Sequence, residues 1–230
     1  MLLLILDNPM FDFAYPLGAV FLYLGLLVAI ADILSSLLPN DPELTRKVVH
    51  IGSGNVILLA WWFNISQEVI VSAAIIAGAI AIISYMIPIL PSIESVGRKS
   101  FGTLFYAISI GVLTACFWQN SPQYTVIGIL IMAWGDGMAA IIGQRFGQHT
   151  YQIGQITKSW EGSLAMAVAS FMVTELVLLF LEGITWQVLF VSLIIALIST
   201  ILEAFSKFGI DNLTVPLSSG FICFLCFQAL

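Results

Sequence analysis

Long, nearly unbroken apolar runs constrain this chain more than any other feature. A helix that crosses a bilayer needs about 20 mostly apolar residues. Read in that window, the segments 16–38, 47–64, 69–90, 101–118, 122–143, 160–182, 185–205 and 213–230 qualify. The runs are continuous and lack the alternating pattern of an outer-membrane barrel. Composition agrees: 9% of the residues are charged and 60% hydrophobic, against about 25% charge in an ordinary soluble domain. The expected fold is an all-α integral membrane protein, a polytopic bundle of about eight transmembrane helices. Seven is the alternative, since the second and eighth windows are short or rich in Gly and Ser. Residues 1–230 are read as a single membrane-embedded catalytic domain, too short to add a separate soluble one.

The connections alternate in charge. Those after the second, fourth and sixth windows read ISQE, QNSP and EGI, without Lys or Arg. The others hold Arg46 and Lys47, Arg98 and Lys99, Arg145 and Lys158, and Lys207, which are all seven basic residues. The positive-inside rule makes that face cytoplasmic, or its equivalent, and puts both termini on the opposite face. So few basic residues do not make a nucleic-acid footprint. The opening MLLLILDNP lacks a basic stretch and reads as a short interfacial segment rather than a signal peptide. Cys116, Cys223 and Cys226 lie inside apolar runs, and the CxxC they include has no second pair, so all three are read as packing residues.

Ionisable residues in membrane helices are costly and usually functional. Four places collect them at the basic face. In TRKVVHIGSGN (45–55), His50 lies one turn from Arg46, and the small polar run Gly52 to Asn55 is unsuited to a lipid-facing helix. The plainer alternatives are topology anchors and close helix packing. ESVGRKSFGT (94–103) supplies Glu94, Arg98 and Lys99, with Ser100 and Thr103 near a helix start that could orient an anion. In the third, residues 134–162, Asp136 sits late in an apolar helix between Gly135 and Gly137, where a ligand or another backbone can come close. The long connection at about 144–159 comes next, then Lys158, Ser159, Glu161 and Gly162 at the entry to the next helix, a natural phosphate seat. In the fourth, EAFSKFGIDNLTVPL (203–217), Glu203 and Lys207 have the spacing of a helix-end ion pair. Asp211 and Asn212 add oxygen ligands, and Pro216 is expected to break the last helix near its start.

Carboxylates and cations on one membrane face suit Mg²⁺ and a polyphosphate, the usual equipment of phosphoryl or nucleotidyl transfer. Neither the GxxxxGK[ST] phosphate loop nor the protein-kinase HRD and DFG elements occur. The residues leave three other readings open: a cytidylyltransferase forming a CDP-lipid, an ion-coupled transporter, and a scaffold for other membrane enzymes. A transporter needs acids across the bilayer, and within the apolar windows, away from their ends, only Asp32 and Glu175 stand clearly apart from the basic-face cluster.

The ordered set RKVVH, E..GRKSFGT, GD..A..G..FG, KSWEG and E......DN...P, over about residues 45–217, resembles the polyprenol kinase family of dolichol, phytol and farnesol kinases. Phosphatidate cytidylyltransferases are more distant relations. The small size and the RKVVH and GRKSFGT segments look most like the phytol kinase branch. The resemblance implies transfer of phosphate from a nucleoside triphosphate, typically CTP, to a long isoprenoid alcohol drawn from the bilayer, with Mg²⁺. Phytyl phosphate would then serve tocopherol synthesis or phytol salvage. Carried over by position, Asp136 looks like the metal or nucleotide carboxylate, Lys158 and Ser159 like phosphate contacts, and Glu203, Asp211 and Asn212 like a second polar cluster. In the scheme these residues suggest, Asp136 and Asp211 are the expected metal carboxylates. Arg46, Lys47, Arg98, Lys99, Arg145, Lys158, Ser159, Gly162 and Asn212 are the expected nucleotide contacts. Asp136, Lys158, Glu203 and His50 are the expected catalytic set, the general base left open among Asp136, Glu203 and His50.

Overall fold

The computed structural model describes residues 9–86 and 101–229, with side chains at 14–85 and 101–229. The opening segment, the end of the third window, and Glu94, Arg98, Lys99 and Ser100 lie outside the described residues. The described chain is almost wholly helical. Its elements are α1 (Pro9–Leu37), α2 (Pro42–Gly54), α3 (Val56–Trp62), α4 (Gln67–Met86), α5 (Gly102–Phe117), α6 (Pro122–Leu130), a π-helical turn (Ile131–Asp136), α7 (Gly137–Phe146), β1 (Thr150–Ile153), β2 (Ile156–Ser159), α8 (Trp160–Glu182), α9 (Trp186–Ala204) and α10 (Asp211–Ala229).

Six helices are long and apolar enough to cross a bilayer, and α5 is a shorter apolar helix. The chain is therefore a multi-pass, all-α membrane protein. The second window departs from expectation. It is divided at Asn55 into α2 and α3, neither of which reaches spanning length alone. The cause is local: Gly52, Ser53, Gly54 and Asn55 are weak helix formers in succession. Side chains then take up carbonyls near the division. Tyr23 donates to Gly52 O at 2.9 Å, and Ser53 and Tyr106 donate to His50 O at 3.0 and 3.2 Å.

The rod made of α6, the π-helical turn and α7 is the centre of the bundle. Two thirds of its span is buried, against 6% of the α1 span. It touches α2, α8 and α10, and α5 packs against α6. Its core residues include Val126, Ile127, Ile129, Ile131 and Met132, all fully buried. Between lipid-soaked helices apolar area gives little drive, so close packing must supply cohesion. Glycine does this at Gly54, where an added Cβ would lie 2.3 Å from the Ala133 methyl, and at Gly137, where it would lie 2.5 Å from Ile51. These two contacts press α2 against the turn that carries Asp136.

Pro216 does not break α10, which runs unbroken through it. A proline mid-helix leaves the carbonyl four residues earlier without its donor. That carbonyl belongs to Asn212, and the Ser109 hydroxyl of α5 donates to it at 2.7 Å. A neighbouring helix thus supplies the missing hydrogen bond, as buried membrane prolines require.

The connection at 144–159, read from sequence as a loop, contains a two-stranded antiparallel hairpin, with Thr150 opposite Ser159 and Tyr151 opposite Lys158. Gly154 takes the first turn position with φ +60°, a conformation tight hairpins favour and side chains resist. The Tyr151 hydroxyl meets Ser163 Oγ at 2.6 Å, tying the hairpin to the first turn of α8. The cysteines are free, with Cys223 in the core.

Candidate active site

Polar side chains from the central rod, α2, the hairpin, α9 and α10 meet at one end of the bundle. The π-helical turn delivers the first. A π turn inserts an extra residue into a helical ladder and so re-aims the side chains beyond it. Here it ends on Asp136, which is 7% exposed at the inner surface of the bundle. Helix α2 comes up against it. Its N-terminus is set by Asp41, which accepts from Leu44 N at 3.1 Å, and by Pro42 in the first turn.

From α2, Lys47 reaches Asp136 Oδ2 with its Nζ at 2.5 Å, the two side chains being only 6% and 10% exposed. His50, one turn later, brings Nε2 within 3.3 Å of the same oxygen and 3.1 Å of Met132 O. A carbonyl oxygen only accepts, so Nε2 carries the proton and a neutral ring keeps its lone pair on Nδ1. The Tyr106 ring stands edge-on to the imidazole at 5.1 Å and fixes its plane. A carboxylate this deep would be neutralised if it stood alone. Here the buried ammonium of Lys47 gives it a partner at the same depth.

The hairpin delivers the second cluster. Lys158 crosses to α9 and pairs with Glu203. The pair Glu203–Lys207 suggested by spacing is not formed, because α9 ends at Ala204 and the chain turns at Phe205 before Lys207. Burial pulls the Lys158 ammonium down, but Glu203 outweighs that, aided by Asp136 and Asp211, and holds it above the ordinary lysine value. Asp211 opens α10 within electrostatic reach of Asp136, Lys47 and Lys158, and Arg46 lies within reach of Asp136 and Asp211. Asn212 is buried, donates to Gly102 O at 3.2 Å, and leaves its Oδ1 buried without a hydrogen-bond partner among the described residues.

Other sequence candidates stand farther out. Arg46 is held by Glu43 on its own helix, with Nε 2.8 Å from Oε2. Arg145 pairs with Asp41 at 3.1 Å, largely exposed. The Ser159 hydroxyl caps α8 by accepting from Gly162 N at 3.1 Å. Gly162 itself lies where a Cβ would stand 2.8 Å from Ala139 O and 3.2 Å from the Gly143 Cα, so it brings α8 against α7. Glu161 binds His149, accepting from its backbone N–H at 3.1 Å.

Several partners were not legible in the sequence. Tyr106 lies in an apolar run and Glu43 just before the second window, and no motif marks either of them. The pairing of Lys47 with Asp136 joins residues 89 positions apart, which no local spacing reports.

The oxygen-rich donor set suits a hard cation. Among the described residues no three His, Cys, Asp or Glu side chains stand close enough to cage a metal. Mg²⁺ does not need such a cage: it is ordinarily held by one or two carboxylates together with substrate phosphates and waters. Asp136, Asp211 and the unpartnered Oδ1 of Asn212 fit that pattern.

No family model matches the chain, and no solved structure matches it. Curated proteins do. The phytol kinase of Synechocystis sp. is 51% identical over 221 residues, 94% of each chain. A probable chloroplastic phytol kinase 2 of Oryza sativa subsp. japonica is 30% identical over 93% of this chain and 77% of its own. The chloroplastic phytol kinase 1 of Arabidopsis thaliana is 28% identical over 80% and 67%.

Proposed function

The chain belongs to the phytol kinase family, and from that premise we propose that it phosphorylates a long isoprenoid alcohol, phytol first among them, at the charged end of its bundle. The observation that carries the reading is the buried centre Asp136–Lys47–His50 facing the Lys158–Glu203 pair within one apolar bundle. A lipid alcohol can bring its hydroxyl there while its chain stays in the bilayer. A nucleoside triphosphate, CTP by the family resemblance, comes from the aqueous side of the same end. The distribution of basic residues supports a cytoplasmic, or equivalent, position for that side.

In the reaction the alcohol oxygen forms a bond to the γ-phosphorus and the β,γ-bridging P–O bond breaks. The alcohol proton passes to a base, and the products are the phosphomonoester and a nucleoside diphosphate. The family's Mg²⁺ would be held by Asp136 and Asp211 and would neutralise charge on the donor phosphates. Lys158, kept cationic by Glu203, stands ready to bind the transferring group. Arg46 adds positive charge at the donor's approach. Lys47 pairs with Asp136 and holds it in place. His50, with Nε2 committed to Met132 O, has only Nδ1 to offer as base. Phosphoryl transfer gains chiefly from positioning and charge stabilisation, which these buried, mutually held groups supply.

The test is product analysis of the purified protein in lipid nanodiscs with phytol, Mg²⁺ and CTP. Phytyl phosphate appearing together with CDP is the expected result. Release of pyrophosphate, with cytidine monophosphate joined to a lipid, would overturn the reading in favour of a cytidylyltransferase.

A further inference from the structure

The central rod is enclosed by its neighbours at nearly every position. From 122 to 143 every residue is buried or half-buried except Trp134, which is 40% exposed. This one opening lies two residues before Asp136, on the π-helical turn. In a bundle that spans a bilayer, a side chain exposed along such a rod meets lipid.

The orientation of the indole is unusual for a residue that merely anchors a helix at the interface. Interfacial tryptophans keep their ring N–H toward headgroups and water. Here Nε1 donates inward to Asn55 Oδ1 at 2.8 Å. That bond satisfies the indole's polar atom and leaves its apolar surface for the membrane. Asn55 is the residue at which α2 gives way to α3. Leu58, three residues on and so on the same face of α3, is also 40% exposed. Trp134, bonded to Asn55, and Leu58, three residues beyond Asn55, thus present two exposed apolar side chains, the first of them two residues from Asp136.

We infer that Trp134, locked by Asn55, is the platform on which the acceptor's hydrocarbon chain lies, and that the chain continues past Leu58 while its hydroxyl reaches the Asp136–His50 centre. This rests on the reading of the chain as an isoprenoid-alcohol kinase. It assigns Trp134 a role in choosing the acceptor by its chain and none in the chemistry. The ring contributes apolar contact to a long chain and nothing to a short alcohol that ends before reaching it.

The experiment compares the wild type with Trp134→Ala, Trp134→Phe and Leu58→Ala in nanodiscs, at saturating nucleotide. A twenty-carbon isoprenoid alcohol and a five-carbon one serve as acceptors. Trp134→Ala should raise KM for the long alcohol about tenfold and leave kcat within about twofold, the scale on which an apolar pocket discriminates. KM for the short alcohol should not move. Trp134→Phe, which keeps a ring, should fall between, and Leu58→Ala should repeat the pattern more weakly. Equal losses for both alcohols, or no loss for either, would overturn the inference. A second measurement needs no variant and no turnover: a diazirine-bearing twenty-carbon alcohol is photo-crosslinked to the wild type and the label mapped. Label at Trp134 or within 55–58 supports this placement of the chain. Label confined to other helices refutes it, whatever the kinetics show. Label at Trp134 in a protein that phosphorylates neither alcohol would uphold the placement and overturn the kinase reading.

Discussion

Replacing Lys47 with methionine removes one partner of the most deeply buried ion pair at the site and keeps most of the side chain's volume. The ammonium and Asp136 Oδ2 are 2.5 Å apart, with both side chains nearly inaccessible. At an effective dielectric near 20, two unit charges at that distance attract by roughly 6–7 kcal/mol, before the cost of removing each from water. Removing one member of a buried pair costs about 3–5 kcal/mol, because the other charge is left uncompensated. His50 stays 3.3 Å from the same oxygen, which places Lys47→Met at the lower end, about 3 kcal/mol. For a chain of this length that corresponds to a fall in Tm of about 6–12 °C. The assay is thermal unfolding in detergent, followed by tryptophan fluorescence, of Lys47→Met, Asp136→Leu and the double variant. The double variant should recover part of the loss, since apolar replacement of both partners leaves no charge unpaired. If Lys47→Met melts within about 2 °C of the wild type, or the two losses simply add, the pair does not hold the site as described.

Ser109→Ala should cost about 1–2 kcal/mol, because it strips the donor from the Asn212 carbonyl that Pro216 has freed; in a Pro216→Ala background, where an N–H is restored, the same change should cost measurably less in the same melting assay. Gly54→Ala puts a methyl 2.3 Å from that of Ala133 and should destabilise by about 1–3 kcal/mol, with a larger fractional loss of kinase turnover, since it pushes Lys47 and His50 away from Asp136. Glu203→Gln removes the charge that holds the Lys158 ammonium above its ordinary value. A raised lysine pKa preserves the cation to higher pH, so the alkaline limb of the activity profile should move to lower pH in the variant. The stability that Glu203 gives through Lys158 is present below the unfolded lysine value and is lost as pH rises through the folded one, so the wild type and Glu203→Gln should converge in Tm only at strongly alkaline pH.

The spanning helices could be read from the sequence because their cause is local: bilayer thickness sets a length, and apolar runs such as 160–182 match it. The gathering of charge at one end was also legible, because connections of alternating polarity sort themselves by side. What could not be read was pairing. The sequence reads Lys47 as a nucleotide contact, with a topology anchor as the plainer alternative, because nothing within several turns of it explains a buried lysine; its partner arrives from the central rod. Glu203 had a plausible partner four residues away in Lys207, yet the helix stops at Ala204 and the hairpin offers Lys158 instead. The hairpin itself was marked by only one glycine in a short polar stretch. Pro216 illustrates the opposite error. The local rule correctly identifies a missing hydrogen bond, but the helix survives because Ser109 on another helix supplies it. Glu175 keeps one carboxylate oxygen buried without a hydrogen bond among the described residues, and nothing at the site accounts for it.

The central claim is that Asp136, held between Lys47 and His50, is the carboxylate around which phosphate transfer to a lipid alcohol is organised. The measurement that tests it most directly is transfer of label from γ-³²P-CTP to phytol by the wild type and by Asp136→Asn, in nanodiscs with Mg²⁺. Thermal unfolding and photo-crosslinking of both proteins would be recorded alongside. The account predicts labelled phytyl phosphate from the wild type and at least a hundredfold less, in order of magnitude, from a variant that still folds and still binds the alcohol. Full transfer by Asp136→Asn would contradict it.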